Sequence, residues 1–233
     1  MANSAPTVFT KPFAVRYSET GPDGLLKPIY IFKYFQDAAS EHAYQMGVSA
    51  LHLIEIRRAW VMLGYRVTVE RYPRWDEAVN LITWRHPIKN LYELRAFEIR
   101  DTEDNLLVRG KSNWVMINFD TRKPVRLNQN MPPELMVDTL PVENDMGKLA
   151  DLDEPEVEVS FRVRRRDLDF NQHVNNTVYI EWALETGPEN VILNRRPSRI
   201  EVDYLDDVTY GNSILSQAKV LESNPNPCFG HRI

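Results

Sequence analysis

Arg164-Arg165-Arg166-Asp167-Leu168-Asp169-Phe170-Asn171-Gln172-His173-Val174-Asn175-Asn176-Thr177 decides how the chain folds, because an earlier stretch has the same layout. With Arg16-Tyr17-Ser18-Glu19 placed over Arg164 to Asp167, Gly21-Pro22-Asp23-Gly24 falls on Asp169 to Gln172. A helix expected from Ile29 then falls on one expected from Thr177. Each stretch follows a strand candidate, Lys11 to Ser18 in one case and Val157 to Val163 in the other. Further on, Trp75-Asp76 falls near Gly211-Asn212, at the entry to the next strand. A repeat of this length sets the fold, since each copy must bury the same kind of apolar face.

The first copy reads as one long helix followed by a meander. Ile31, Tyr34, Phe35, Ala38 and Ala39 recur at helical spacing from Ile29, and Gly47 supplies a stop. A short second helix is expected from Ala50 to Arg57. Trp60–Arg71, Val79–Trp84, Leu91–Arg100 and Leu106–Phe119 are strand candidates joined by short turns. From Asp120 to Pro155 the chain is rich in proline and acidic residues, which reads as a linker. A helix from Asn175 to about Leu193 and strands at Ser198–Asp207 and Ile214–Leu221 follow. The expected architecture is α+β, a sheet wrapped round one long helix, twice. The second copy runs out roughly twenty places before a counterpart of Phe119, so its last strands are expected to be missing.

The chain has 233 residues, 43% apolar and 26% charged, enough for sizeable cores and unlike a disordered or collagen-like chain. No apolar run approaches the roughly 20 residues that span a bilayer. The first residues carry no signal-peptide pattern. One cysteine, Cys228, allows no internal disulfide and points to a reducing, cytoplasmic setting. A formal net charge of −5 argues against a non-specific nucleic-acid binder.

The polar string from Asp167 to Asn176 lies between a strand and a helix, where a rigid support can present side chains to a cleft. Asn175 or Asn176 can cap that helix, and its first N–H groups are expected to be free for a developing oxyanion.

Asp-x-Asn-x-His-Val-Asn-Asn, followed by Tyr179 and Trp182, resembles the active-site loop of the fatty acyl-ACP thioesterases. Ala59-Trp60-Val61, Glu70 to Asp76 and Arg109 to Trp114 resemble the first half of that family. The resemblance covers most of the chain. It implies two tandem hot-dog domains: residues 1–120 without the catalytic loop, a linker at 121–155, and residues 156–233 with the loop. It implies hydrolysis of fatty acyl-acyl-carrier-protein, releasing free fatty acid and ending chain elongation. By position, Asp169, Asn171 and His173 match the catalytic loop, and a further carboxylate is implied within Asp203 to Val208. Plant members have Glu-Cys there, and Asp207-Val208 is the best match. The missing cysteine argues against a cysteine nucleophile. Asp207 or Asp169 is then the base or direct nucleophile, Asn171 orients water or carboxylate, and His173 holds the base or the reacting centre. In the first copy Leu25 stands at the place of His173 and Gly21 at that of Asp169, so one active site per chain is expected. The first copy is left to build the acyl pocket, with Tyr34, Phe35, Trp60 and Met62 as candidates, although plain core is the commoner role for such residues.

No metal or other cofactor is indicated, for His-Glu-x-x-His and paired cysteines are absent. Gly110-Lys111-Ser112 lacks the upstream glycine of a phosphate loop, and no Gly-x-Ser-x-Gly elbow occurs. The implied partner is acyl carrier protein bearing a fatty acyl chain. Arg162, Arg164, Arg165, Arg166, Arg195, Arg196 and Arg199 form either a solvated face or a landing patch for that acidic protein. No nucleic acid and no membrane span are expected, and homodimer formation is left open. The alternatives are an acyl-CoA thioesterase and a non-catalytic acyl-binding hot-dog protein, with a dehydratase a weaker third.

Overall fold

Helix α1 (Pro28–Gln45) starts on proline, which suits the first helical position, and ends where Gly47 turns left-handed at φ 71°. Its buried face carries Ile31, Phe32, Phe35, Ala38, Ala39 and His42. Around it lie β1 (Val8–Ala14), α2 (Ala50–Glu55), β2 (Arg58–Val69), β3 (Ala78–Ile88), β4 (Tyr92–Asp101) and β5 (Leu106–Asn118). Phe35 stacks on Phe97 of β4 at 4.3 Å, and a side chain on Gly110 of β5 would strike the Phe35 ring. That close approach is why β5 carries glycine there. Burying each such Phe stabilises the unit by about 1.5–3 kcal/mol.

The computed structural model describes residues 7–136, 140–222 and 227–233. The later elements are β6 (Val157–Arg162), α3 (Asn176–Leu184), α4 (Glu189–Asn194), β7 (Arg199–Asp203), β8 (Ser213–Glu222) and β9 (Cys228–Arg232). The chain forms two compact units, one of Met1–Gly147 with Ser198–Asp203 and one of Lys148–Pro197 with Tyr204–Ile233. The first has a six-stranded sheet in the order β1-β3-β4-β5-β2-β7; the second has β6-β8-β9. Every named pair is antiparallel. The stretch after β5 packs on the first unit, where Leu127 and Met131 join Met46, Leu53 and Met116 in one buried cluster.

The repeat is visible bond by bond. A single 3-10 turn, Tyr17–Glu19, is closed by Arg16 N–H donating to Glu19 at 2.9 Å; Arg165–Asp167 is closed by Arg164 N–H donating to Asp167 at 2.7 Å. Gly21 N–H donates to Leu25 carbonyl at 2.9 Å, and Asp169 N–H to His173 carbonyl at 2.8 Å. Gly24 and Gln172 both have positive φ, 73° and 64°. Farther on, Asp76 (φ 63°) and Gly211 (φ 86°) donate to Val15 and Val163 carbonyls. The structure therefore matches Asp76 with Gly211, one place from the match that the sequence offered.

Several elements differ from their sequence reading; the strand expected over Lys11–Ser18 is Val8–Ala14, followed by the 3-10 turn at Tyr17–Glu19. The helix expected from Asn175 to Leu193 is two helices, broken at Thr186-Gly187-Pro188. Thr186 Oγ1 donates to the Trp182 carbonyl at 2.6 Å, and Pro188 has no N–H to carry the helix on. The strand expected over Ser198–Asp207 stops at Asp203 and pairs with β2 of the first sheet. Cys228–Arg232, where the sequence reading places no element, is β9, paired with β8. Among the described residues no helix is long and apolar enough to cross a membrane.

Candidate active site

The loop between β6 and α3 is held from both ends. Asn175 caps α3, its side-chain oxygen accepting from Thr177 N–H at 2.9 Å and from the Thr177 hydroxyl at 2.8 Å. Asp167, buried, closes the 3-10 turn, and its carbonyl accepts from Asn175 N–H at 2.8 Å. The Asp169 carboxylate accepts the N–H groups of Asn171 at 2.8 Å and His173 at 3.3 Å, an Asx turn that sets the bend.

On this frame His173 Nε2 lies 3.3 Å from Asp207 Oδ2. Their side chains are 33% and 50% exposed, so the pair is open to water. The segment bearing Asp207 is tied to the loop by backbone: Val174 N–H donates to the Val208 carbonyl at 2.8 Å, and His173 bridges Thr209. Beneath the pair, Val163, Val174, Val178 and Trp182 form a buried cluster against which Tyr179 and Val208 pack. Tyr179 Oη accepts the Val208 N–H at 3.1 Å, and Tyr204 Oη donates to the Asn176 carbonyl at 2.8 Å. Burial, and then the charges of Asp207, Asp169 and Asp206, push the Tyr179 phenol up, while the Val208 N–H opposes them. The sequence reading gave Tyr179 no role. The signals for it are its place on α3, one turn after the loop, and its presence with Trp182 in the family-like motif.

Of the four candidate residues, then, His173 and Asp207 meet, and Asp169 is bonded to the loop backbone. Asn171 is exposed, and among the described residues its side chain has no hydrogen-bond partner. Asp203 stands apart: it ends β7 in the first unit, 2.8 Å from Arg66 Nη2. Strand alternation from Asp203 to Asp207 does not hold, because the strand has ended. The free helix N–H groups are also fewer than expected. Those of Val174, Asn175 and Thr177 are spent on Val208, Asp167 and the cap, which leaves Asn176. Among the described residues no group of three or more His, Cys, Asp or Glu could hold a metal ion.

The arginine patch narrows similarly. Arg164 serves the 3-10 turn at 3.3 Å from Asp167, and Arg199 sits on β7, paired with Glu201 at 2.5 Å. Arg162 and Arg165 are exposed with no ion pair among the described residues, and Arg166 is 3.8 Å from Asp167.

Profiles of known families match nearly the whole chain: residues 6–135 fit the acyl-ACP thioesterase N-terminal domain and residues 150–233 the C-terminal domain. The chain belongs to the acyl-ACP thioesterase family. Curated relatives include a chloroplastic dodecanoyl-acyl-carrier-protein hydrolase of Cinnamomum camphora, 29% identical over 91% of this chain and 59% of its own length. An oleoyl-acyl carrier protein thioesterase of Coriandrum sativum is 30% identical over 84% of this chain and 58% of its own. The chain thus spans under two thirds of these relatives. Among solved structures, the 12:0-ACP thioesterase from Umbellularia californica superposes with a TM-score of 0.86 at 27% identity, covering 97% of this chain and 88% of that one. An acyl-ACP thioesterase from Bacteroides thetaiotaomicron, at 23% identity over 94% of this chain and 89% of that one, has a TM-score of 0.82 and shares the fold. The α+β fold, with two hot-dog-like domains, is that of this thioesterase architecture.

Proposed function

We propose that the chain hydrolyses the thioester of fatty acyl-acyl-carrier-protein, releasing free fatty acid. The observation that carries this reading is the His173–Asp207 contact on a loop whose twin in the first unit has Leu25 and Tyr72 instead.

Water is activated at the pair, Asp207 and His173 sharing its proton as the oxygen adds to the acyl carbonyl carbon. The resulting oxyanion is received by the Asn176 N–H at the start of α3. Collapse breaks the carbon–sulfur bond. A thiolate whose acid has a pKa of roughly 8.5 leaves readily and takes up the proton. Asp169 shapes the loop through Oδ1, which accepts the N–H groups of Asn171 and His173, and the proton goes to the His173–Asp207 pair. Asn171 orients the incoming water.

The carrier protein docks on Arg162, Arg165 and Arg166, whose charge suits an acidic surface. The hot-dog domains are taken as residues 1–120 and 156–233, joined through 121–155, with the first forming the acyl pocket. A reducing, cytoplasmic setting belongs to the same reading, carried by the single cysteine.

The test is free fatty acid release measured side by side on acyl-carrier-protein and acyl-CoA of graded chain length. Faster release from the carrier protein supports the reading. Faster release from CoA makes the chain an acyl-CoA thioesterase, and tight binding with no release makes it an acyl-binding protein.

A further inference from the structure

The twin loops serve as an internal control on which contacts accompany the chemistry. Their frames superimpose in hydrogen bonding: Leu26 N–H donates to the Pro73 carbonyl at 2.8 Å, as Val174 N–H does to the Val208 carbonyl at 2.8 Å. Leu25 bridges Arg74 as His173 bridges Thr209. The helices start in step, at Pro28 and Asn176, so Ile31 and Tyr179 are each the fourth residue of their helix. Pro73 therefore corresponds to Val208, Tyr72 to Asp207 and Ile31 to Tyr179.

Two pairs change together between the copies. Leu25 and Tyr72 become His173 and Asp207. Pro73, which has no N–H, and Ile31, which has no acceptor, become Val208 and Tyr179, whose N–H and phenol oxygen bond at 3.1 Å. The donor and its acceptor are both present only in the copy that holds the His–Asp pair. A valine N–H without Tyr179 would be a stranded donor next to Asp207, and stranded donors pull backbone out of place.

We propose that Tyr179 is a positioning residue: by holding the Val208 N–H it fixes the peptide that follows Asp207 and keeps that carboxylate opposite His173. The inference rests on the proposed hydrolysis at this pair. The ring itself is placed independently of the hydroxyl, packing edge-on to Trp182 at 5.5 Å and to Tyr204 at 6.0 Å. Removing the hydroxyl leaves that packing intact. The phenol is pushed up by burial and then by nearby carboxylates, so it stays neutral and remains an acceptor for the N–H.

The experiment is a double-mutant cycle on acyl-carrier-protein hydrolysis with Tyr179→Phe, Val208→Pro and both together. Pro73 shows that proline is accommodated at this place in the frame. Tyr179→Phe is expected to lower kcat about tenfold, with KM and Tm close to wild type. Val208→Pro is expected to do the same, and the double variant to be no slower than either single. Equal kcat for Tyr179→Phe and wild type overturns the proposal, as does a double variant whose loss is the product of the two single losses. If Val208→Pro fails to fold, the kcat-against-KM split in Tyr179→Phe decides alone. A wild-type chain that hydrolyses acyl-carrier-protein while Tyr179→Phe matches it sinks only this inference. A wild-type chain inactive on every acyl thioester removes the proposed function and this inference with it.

Discussion

His173 and Asp207 come from different parts of the second unit, one from the loop after β6 and one from the segment before β8, and meet at 3.3 Å. What joins them is backbone: the Val174–Val208 bond and the His173–Thr209 bridge hold the two segments side by side as strands would. The frame thus sets the two backbones at a spacing that lets the side chains meet, and such proximity is what general-base catalysis needs.

The two acids have separable roles. Asp169→Asn keeps an oxygen for the N–H groups of Asn171 and His173, so kcat should stay within a few-fold of wild type. Asp169→Ala loses that acceptor and should lower both kcat and Tm. Steady-state kinetics with thermal melts check this. If Asp169→Asn is as slow as Asp207→Asn, the charge of Asp169 takes part in the reaction.

Carrier docking on the arginines should be electrostatic. Arg165→Glu with Arg166→Glu is expected to raise KM for acyl-carrier-protein about tenfold at low ionic strength, with kcat unchanged. The difference should shrink in 0.5 M salt, where screening acts over roughly 4–5 Å. Arg164 is a poor choice for this test, because it also closes the 3-10 turn. A KM that does not move at low salt returns the patch to a solvated face.

The first unit carries buried charge on the helix-facing side of its sheet. Glu93 receives Arg85 at 2.5 Å and lies 3.9 Å from Arg95, whose guanidinium is also 3.0 Å from His42 of α1. Burial pushes Arg95 down to about 10, with Glu93 working against that shift and Arg85 adding to it. Glu93→Ala leaves two arginines buried without their shared carboxylate. It should cost about 3–5 kcal/mol in urea unfolding. A loss under about 1 kcal/mol would mean that water reaches the guanidiniums.

Local patterns were legible and distant pairings were not. The repeat, the long helix under Ile31, Phe35 and Ala38, the β3-β4-β5 hairpins and the polar loop are legible, because each is set by spacing or turn chemistry within a few residues; the meander reading fails at β2, which pairs with β5 and not with β3. Ser198–Asp207 reads as a strand, of which Arg199–Asp203 forms, but its partner is not legible: joining β2 depends on an edge more than a hundred residues away. Glu93 and Arg95 look like the solvent face of an alternating strand, since Arg85, which pairs with Glu93, and His42 and Thr83, which meet Arg95, lie on other elements. His173 was found through its loop, and Asp207 through family resemblance. Tyr179 went unassigned because its hydrogen bond reaches across to Val208.

Hydrolysis at the His173–Asp207 pair is tested most directly by kcat for fatty acid release from acyl-carrier-protein by wild type, His173→Ala and Asp207→Asn. Each substitution should lower kcat by about 10²–10⁴, with KM and Tm near wild type. Both variants hydrolysing at close to the wild-type rate would contradict it.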